Sequence, residues 1–373
     1  MTSTQGPSDP TSPAKREGDP ASSTPTITTR MILALALPSL GALIAEPLFT
    51  VIDSTMVGHL GTPQLAGLGI ASTVLNTAVG LFIFLAYSTT SLAGRHLGAG
   101  RRDCAIRSGV EAMWLAGGLG ALAAILLAVF ASPLLTWLGA DAATMPHALA
   151  YLRASAPGLV GMFVVLAATG TLRGLQDTRT PLVAASVGAA FNAVANWVLM
   201  YPLNLGVAGS GLGTAITQTL MAAFLGWMIV RAAQREGVSL RPSTYGLFGA
   251  ALEGAPLLVR TLALRVALLA TLSAVTAIST QALAAHQIVW TLWTFAAYVL
   301  DALAIAAQAL AGFTTGTGER GAMRPLLRTL SRWGIGFGVA VGVALAITAP
   351  WITRIFTTDQ TVIDYATVAI IVG

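Results

Sequence analysis

Apolar stretches of about 20 residues recur from Met31 onward, separated by short segments rich in arginine. A stretch of that length crosses the roughly 30 Å hydrocarbon core of a bilayer as one helix. Inside lipid each backbone polar group must be satisfied within its own segment, so the repeated stretches fix the fold class as an all-α polytopic membrane protein. Composition agrees: 9% of the residues are charged and 55% are apolar, whereas a soluble chain carries about 25% charged residues.

The hydropathy pattern predicts helices at 31–58, 65–94, 109–136, 147–172, 181–203, 209–231, 247–278, 281–311 and 326–354, with a tenth starting near 361. Sixteen of the twenty basic residues fall before the first helix or on alternate connections, among them Arg101, Arg102, Arg173, Arg235 and Arg324. The positive-inside rule then puts the N-terminus in the cytoplasm of a cell inhabiting this as an inner or plasma membrane protein. The net charge of +5 follows from that placement and gives no reason to expect a nucleic-acid partner. Residues 1–29, rich in Ser, Thr and Pro, read as a disordered cytoplasmic tail. The lone Cys104 excludes an intrachain disulfide and a cysteine metal cluster, and no nucleophile motif, P-loop or dinucleotide fingerprint suggests an enzyme.

An internal repeat is visible at an offset of 218 residues. AGRHLGAG (93–100) matches AGFTTGTG (311–318), Pro38 matches Pro256, and Asp141 matches Asp359. Six helices per repeat leave both halves in the same orientation, as in transporters built from parallel repeats. The expected organisation is a first lobe over 30–237, with helices one to six, and a second over 238–373. The second would hold helices seven to nine and the start of ten, so the pattern implies that eleven and twelve are absent from a truncated second bundle.

The first helix carries Glu46, Thr50 and Asp53 at i, i+4, i+7, one stripe of a helix. A carboxylate at membrane depth is costly and marks a functional site by default. Pro38 and Pro47 are expected to interrupt this helix and to free the carbonyls of Ala34 and Leu43. Asn192 and Asn196 lie one turn apart on the fifth helix, and Thr214 lies near the outer end of the sixth. A rise of 1.5 Å per residue brings Asp53, Asn196 and Thr214 to similar depth. The same arithmetic places Arg260 of the seventh helix level with Asp301 of the eighth, and an intramembrane ion pair between them is expected.

The stretches ALPSLGALIAEPLFTVIDSTMVGHLG, AGRHLGAG, GTLRGLQDTRTPL, NAVANWVLMYPLNLGVAGSGLGTA and LAAHQI resemble the multidrug and toxic compound extrusion (MATE) transporters, the DinF-like branch above all. The resemblance covers about residues 30–373. It implies twelve helices in two lobes, no cofactor, and export of a small organic solute, cationic ones included, by a monomer in exchange for a proton or sodium. It makes Asp53, Asn192 and Thr214 the cation-coupling residues, with Glu46 and Asn196 beside them. Asn196 departs from the family pattern, in which an aspartate often stands there, and the loss of that carboxylate favours the proton over sodium. PLLVRTLALR also lacks the seventh-helix glutamate of the norfloxacin-exporting branch. The related lipid-linked oligosaccharide flippases and a non-transporting remnant are the alternatives.

Overall fold

The computed structural model describes residues 29–357 and 359–372, less the side chains of Glu46, residues 244–251, Glu253, Thr280 and Arg320. The expected tail over residues 1–28 and the Glu46 side chain thus lie outside the described residues.

Among the described residues twelve helices follow one another: α1 (Thr29–Gly58), α2 (Thr62–Leu81), α3 (Phe84–Gly98), α4 (Arg102–Trp137), α5 (Met145–Ser155), α6 (Gly158–Gly174), α7 (Arg179–Met200), α8 (Gly206–Arg235), α9 (Thr244–Ile278), α10 (Thr280–Gly316), α11 (Arg320–Phe356) and α12 (Gln360–Val372). Eight spans are long and apolar enough to cross a membrane, with α2 and α3 together forming one; α5 and α6, bent by 52°, add a ninth.

Three expectations change in physical detail. The second and fourth helices are each broken. Pro157 separates α5 from α6, because it brings no backbone N–H to the helical ladder and its ring crowds the carbonyl four residues back. The break between α2 and α3 at Phe82 and Ile83 has no proline; it follows Gly80, against which the Arg265 guanidinium packs. Conversely, Pro38 and Pro47 sit inside α1 without ending it. The carbonyl that Pro38 frees, that of Ala34, accepts a hydrogen bond from Thr178 Oγ1 at 3.4 Å, so a neighbouring helix start supplies the missing donor. Finally, most of the basic residues assigned to connections lie on helix ends. The helices continue past the apolar core, where hydropathy no longer marks them, and Arg102 reaches Glu236 at 3.2 Å from such an end.

Helices α1 to α8 pack on one another around a core that includes Leu135, Leu152, Leu159 and Phe163. Helices α10, α11 and α12 pack together, and α9 runs beside α3, α4 and α10. No residue in the most apolar stretch of α9 is buried.

The two sets of helices meet most closely at their arginine-rich end, along α3 and α10. A Cβ on Gly98 would stand 1.9 Å from the Phe313 carbonyl oxygen, and one on Gly316 would stand 1.9 Å from that of Arg95. Gly94 approaches Ala309 and Gly312 approaches Ser91 in the same reciprocal way. Small residues permit such backbone contact, which is a main source of helix association in lipid. These contacts exchange under a shift of 218 residues, Gly98 with Gly316 and Arg95 with Phe313. The same shift relates two aspartates at the starts of helical segments: Asp141 Oδ1 accepts from the backbone of Ala143 and Thr144 in the turn before α5, and Asp359 Oδ1 from that of Thr361 and Val362 in α12.

Candidate functional site

Asp53, near the end of α1, is 4% exposed. Two donors converge on its Oδ1: Asn196 Nδ2 of α7 at 3.1 Å, and Ser210 Oγ of α8. Asn196 Nδ2 also donates to Asn192 Oδ1 at 3.0 Å, and Asn192 Nδ2 returns a longer bond to Asn196 Oδ1 at 3.4 Å. The asparagines therefore hold each other in one orientation and aim an amide at the carboxylate. A second tie fixes the same corner: the Tyr201 hydroxyl donates to the Met56 carbonyl at 2.8 Å.

The glycine-rich start of α8 makes this convergence possible. A Cβ on Gly213 would fall 1.9 Å from Asn196 Oδ1, and one on Gly209 would fall 2.8 Å from the backbone at Leu199 and Met200. Gly211, on another face, lies against the Tyr151 carbonyl of α5. Glycine at 209 and 213 lets α8 close on α7, and glycine at 211 lets it close on α5. Ser210 and Thr214, one turn apart between them, are thereby pressed inward and are 0% and 3% exposed.

Tyr151 completes the site. It is 5% exposed, its hydroxyl faces Ser72 of α2 and Thr214, and it lies in the field of Asp53. Thr214 Oγ1 nevertheless meets no hydrogen-bond geometry and has no partner among the described residues. Four helices, α2, α5, α7 and α8, thus supply the polar groups around the buried carboxylate of α1, and every neighbour named here is uncharged at neutral pH. Among the described residues no group of three or more His, Cys, Asp or Glu could hold a metal ion.

The structure brings Asp53, Asn192, Asn196 and Thr214 together. Ser210, Tyr151 and Ser72 were missed. Ser210 had a signal, since it precedes Thr214 by one helical turn on the same face; Tyr151 and Ser72 had none.

Arg260 and Asp301 are both exposed and make no contact within ion-pair distance. The expected direct pair is therefore absent from this conformation. The two charges act on each other through space, and the half-buried Tyr87 of α3 lies in the field of both and of Arg173. Equal depth along two helices fixes height, not the lateral gap that side chains must bridge. Arg173 differs more from expectation. Its segment does form the tight turn, with Asp177 Oδ1 accepting from the backbone of Arg179 and Thr180. Yet Arg173 itself points inward and is 8% exposed.

Known proteins match along both sets of helices. The MatE family profile covers residues 38–198 and 256–372. Protein DETOXIFICATION 44, chloroplastic, of Arabidopsis thaliana is 32% identical over 349 residues, which are 90% of this chain and 66% of that protein. DNA damage-inducible protein F of Escherichia coli (strain K12) is 30% identical over 308 residues, 80% of this chain and 66% of that protein. The chain thus spans slightly under two thirds of the length of these two relatives. A crystal structure of MATE in the bent conformation superposes with a TM-score of 0.83 at 22% identity, over 92% of this chain and 78% of that one, a likeness of fold. The profile match along most of the chain settles its kinship: it belongs to the MatE family.

Proposed function

We propose that this chain is the larger part or the whole of a cation-coupled exporter of small organic solutes, with Asp53 as the group that binds the coupling cation. The observation that carries the reading is the burial of Asp53 among neutral hydrogen-bond donors from several helices. A carboxylate at that depth holds a charge that no neighbour balances, and one bound cation neutralises it. The relatives support export: MdtK of Klebsiella pneumoniae (strain 342), 27% identical over 210 residues, carries the name multidrug resistance protein.

The coupling ion is the proton on this reading. Sodium, a hard cation, favours several oxygen ligands. Among the described residues one carboxylate is present here, and both groups bonded to its Oδ1 donate hydrogens rather than lone pairs. Thr214 Oγ1 is a buried oxygen of the site with no hydrogen-bond partner among the described residues. Protonation removes the charge without new ligands and weakens the hold of Asn196 and Ser210 on α1. A change in α1 reaches the second set of helices directly, because Ile32 and Leu35 at its other end pack on Ala306, Leu310 and Leu326. If cation and solute favour opposite states of one cavity, loading one releases the other.

The two sets of helices are read as two lobes of a parallel repeat, 30–237 and 238–373, with the N-terminus in the cytoplasm. The exchange of contacts under the 218-residue shift supports this. Cysteines introduced as Gln176→Cys and Asp141→Cys, with Cys104 replaced, should label from opposite sides of the membrane; labelling of both from one side refutes the topology. The ion is tested in proteoliposomes loaded with a fluorescent dye. Export that follows an imposed proton gradient at clamped sodium supports the proton, and export that follows only sodium at clamped pH overturns it.

A further inference from the structure

We propose that residues 236–243, the connection between the two sets of helices, form a strap fastened to α4 that restrains the sets from parting at their arginine-rich end. The inference goes beyond the coupling role of Asp53 and rests only on the reading that the two sets move against each other.

Three side chains of α4 hold the strap. Arg107, Glu111 and Trp114 stand at i, i+4 and i+7, one stripe of the helix. The Trp114 indole Nε1 donates to the Leu240 carbonyl at 3.0 Å. The Ser243 hydroxyl donates to Glu111 Oε1 at 2.7 Å, and Arg107 Nε donates to the same oxygen at 3.4 Å. The Glu111 side chain is 12% exposed, so this carboxylate is held between its donors and largely out of water. At the other end of the strap Arg102 meets Glu236 at 3.2 Å.

The backbone and the apolar side chains of the strap follow the same course. Gly237 has a φ of 66°, and the Val238 N–H closes onto the Ala233 carbonyl at 2.8 Å, a turn off the end of α8 that favours glycine. Beyond the turn Val238 and Leu240 pack on the apolar cluster of Ile106, Val110, Leu225 and Ile229. Connections commonly run over the surface and stay mobile. This one is inlaid on the first set of helices.

The 218-residue repeat shows that the fastening is particular to this place. Under that shift Arg107, Glu111 and Trp114 fall on Pro325, Thr329 and Arg332. The carboxylate and the indole N–H therefore occur on this stripe only in the set that carries the connection.

The strap leaves no slack. Its last contact is made by Ser243, and α9 begins at the next residue, Thr244. The start of α9 is thus tied to α4. Freed from α4, eight residues could reach about 26–29 Å; fastened, they lend none of that reach to the second set. Parting of the arginine-rich ends, with α9 intact, breaks the bonds from Trp114 to Leu240 and from Ser243 to Glu111. Their strength biases the equilibrium toward the state in which those ends are together.

The test uses the full chain in nanodiscs, with no gradient and no solute. Spin labels on Arg179→Cys and Arg328→Cys, in a Cys104→Ser background, report the distance between the two sets at the arginine-rich end. Hydrogen exchange of the peptide over 236–243 reports whether the strap is docked. Trp114→Phe and Ser243→Ala should each speed that exchange and raise the ratio of long to short distances about fivefold, the worth of one ordinary hydrogen bond. Four residues, Gly-Ser-Gly-Ser, inserted between Ser243 and Thr244 supply slack and leave every strap contact in place. That insertion should raise the long distance as well, while exchange of the strap stays slow. A role confined to stabilising the first set predicts no effect of the insertion. If either substitution fails to fold, the insertion decides alone. Distances unchanged by the insertion, or a strap whose exchange ignores both substitutions, overturn the proposal. Neither result bears on Asp53, and a failure of Asp53 to couple leaves these distances as they are.

Discussion

Two polar clusters sit at membrane depth in this chain, and they are built on opposite plans. Around Asp53, Asn196 of α7 and Ser210 of α8 bring neutral donors to one carboxylate, and the asparagines lock each other in place. Between the helix sets, Arg173, Arg260 and Asp301 stand near one another without touching. The first cluster is complete within the fold and can change only by gaining or losing a cation. The second leaves its charged groups without direct partners among the described residues. The difference separates a carboxylate held in fixed geometry by neutral donors from charges whose spacing helix packing leaves open.

Substitutions that break this contrast rank by how much packing they disturb. Gly213→Val drives a side chain into Asn196 Oδ1 and should cost at least the 1–3 kcal/mol of ordinary overpacking, about that much or more since α7 and α8 must part. Thermal unfolding in detergent should show the largest loss in the series. Ser210→Ala removes one of the two donors to Asp53 and should cost about 1–3 kcal/mol, the range for an unpaired buried polar group; a smaller loss would mean that the carboxylate is already neutral in the resting state. Arg260→Gln and Asp301→Asn break no contact and should shift unfolding by about 0.5 kcal/mol or less. A large loss from either would reveal a direct ion pair and erase the contrast. Thr214→Val should be the mildest, neutral or slightly stabilising, because Oγ1 has no partner to lose.

Much of the architecture was legible because lipid imposes simple rules. Span number and order follow from length and hydropathy, and Asp53, Asn196 and Thr214 could be grouped from depth alone. Breaks were less legible. Pro157 breaks its span while Pro38 and Pro47 do not break theirs, since the outcome depends on whether a neighbour such as Thr178 can satisfy the freed carbonyl. The inward turn of Arg173 was invisible because its segment, LRGLQDTRTP, reads as a surface turn and the neighbouring Asp177 behaves as one. Ser210 was within reach of a helical-face argument, whereas Tyr151 lies on a half-span whose facing is set by the bend at Pro157. The Arg260–Asp301 pair failed as a contact because periodicity gives heights and not the spacing between helices.

The central claim is that Asp53 carries the coupling cation, and one measurement bears on it most directly. Wild-type and Asp53→Asn chains are reconstituted in parallel, and dye movement is followed under an imposed proton gradient with sodium clamped and under no gradient. The wild type should drive dye against its concentration gradient. Asp53→Asn, isosteric and still able to meet Asn196 and Ser210, should remain folded and let dye equilibrate without accumulating it. Gradient-driven accumulation by Asp53→Asn at the wild-type level would contradict the account.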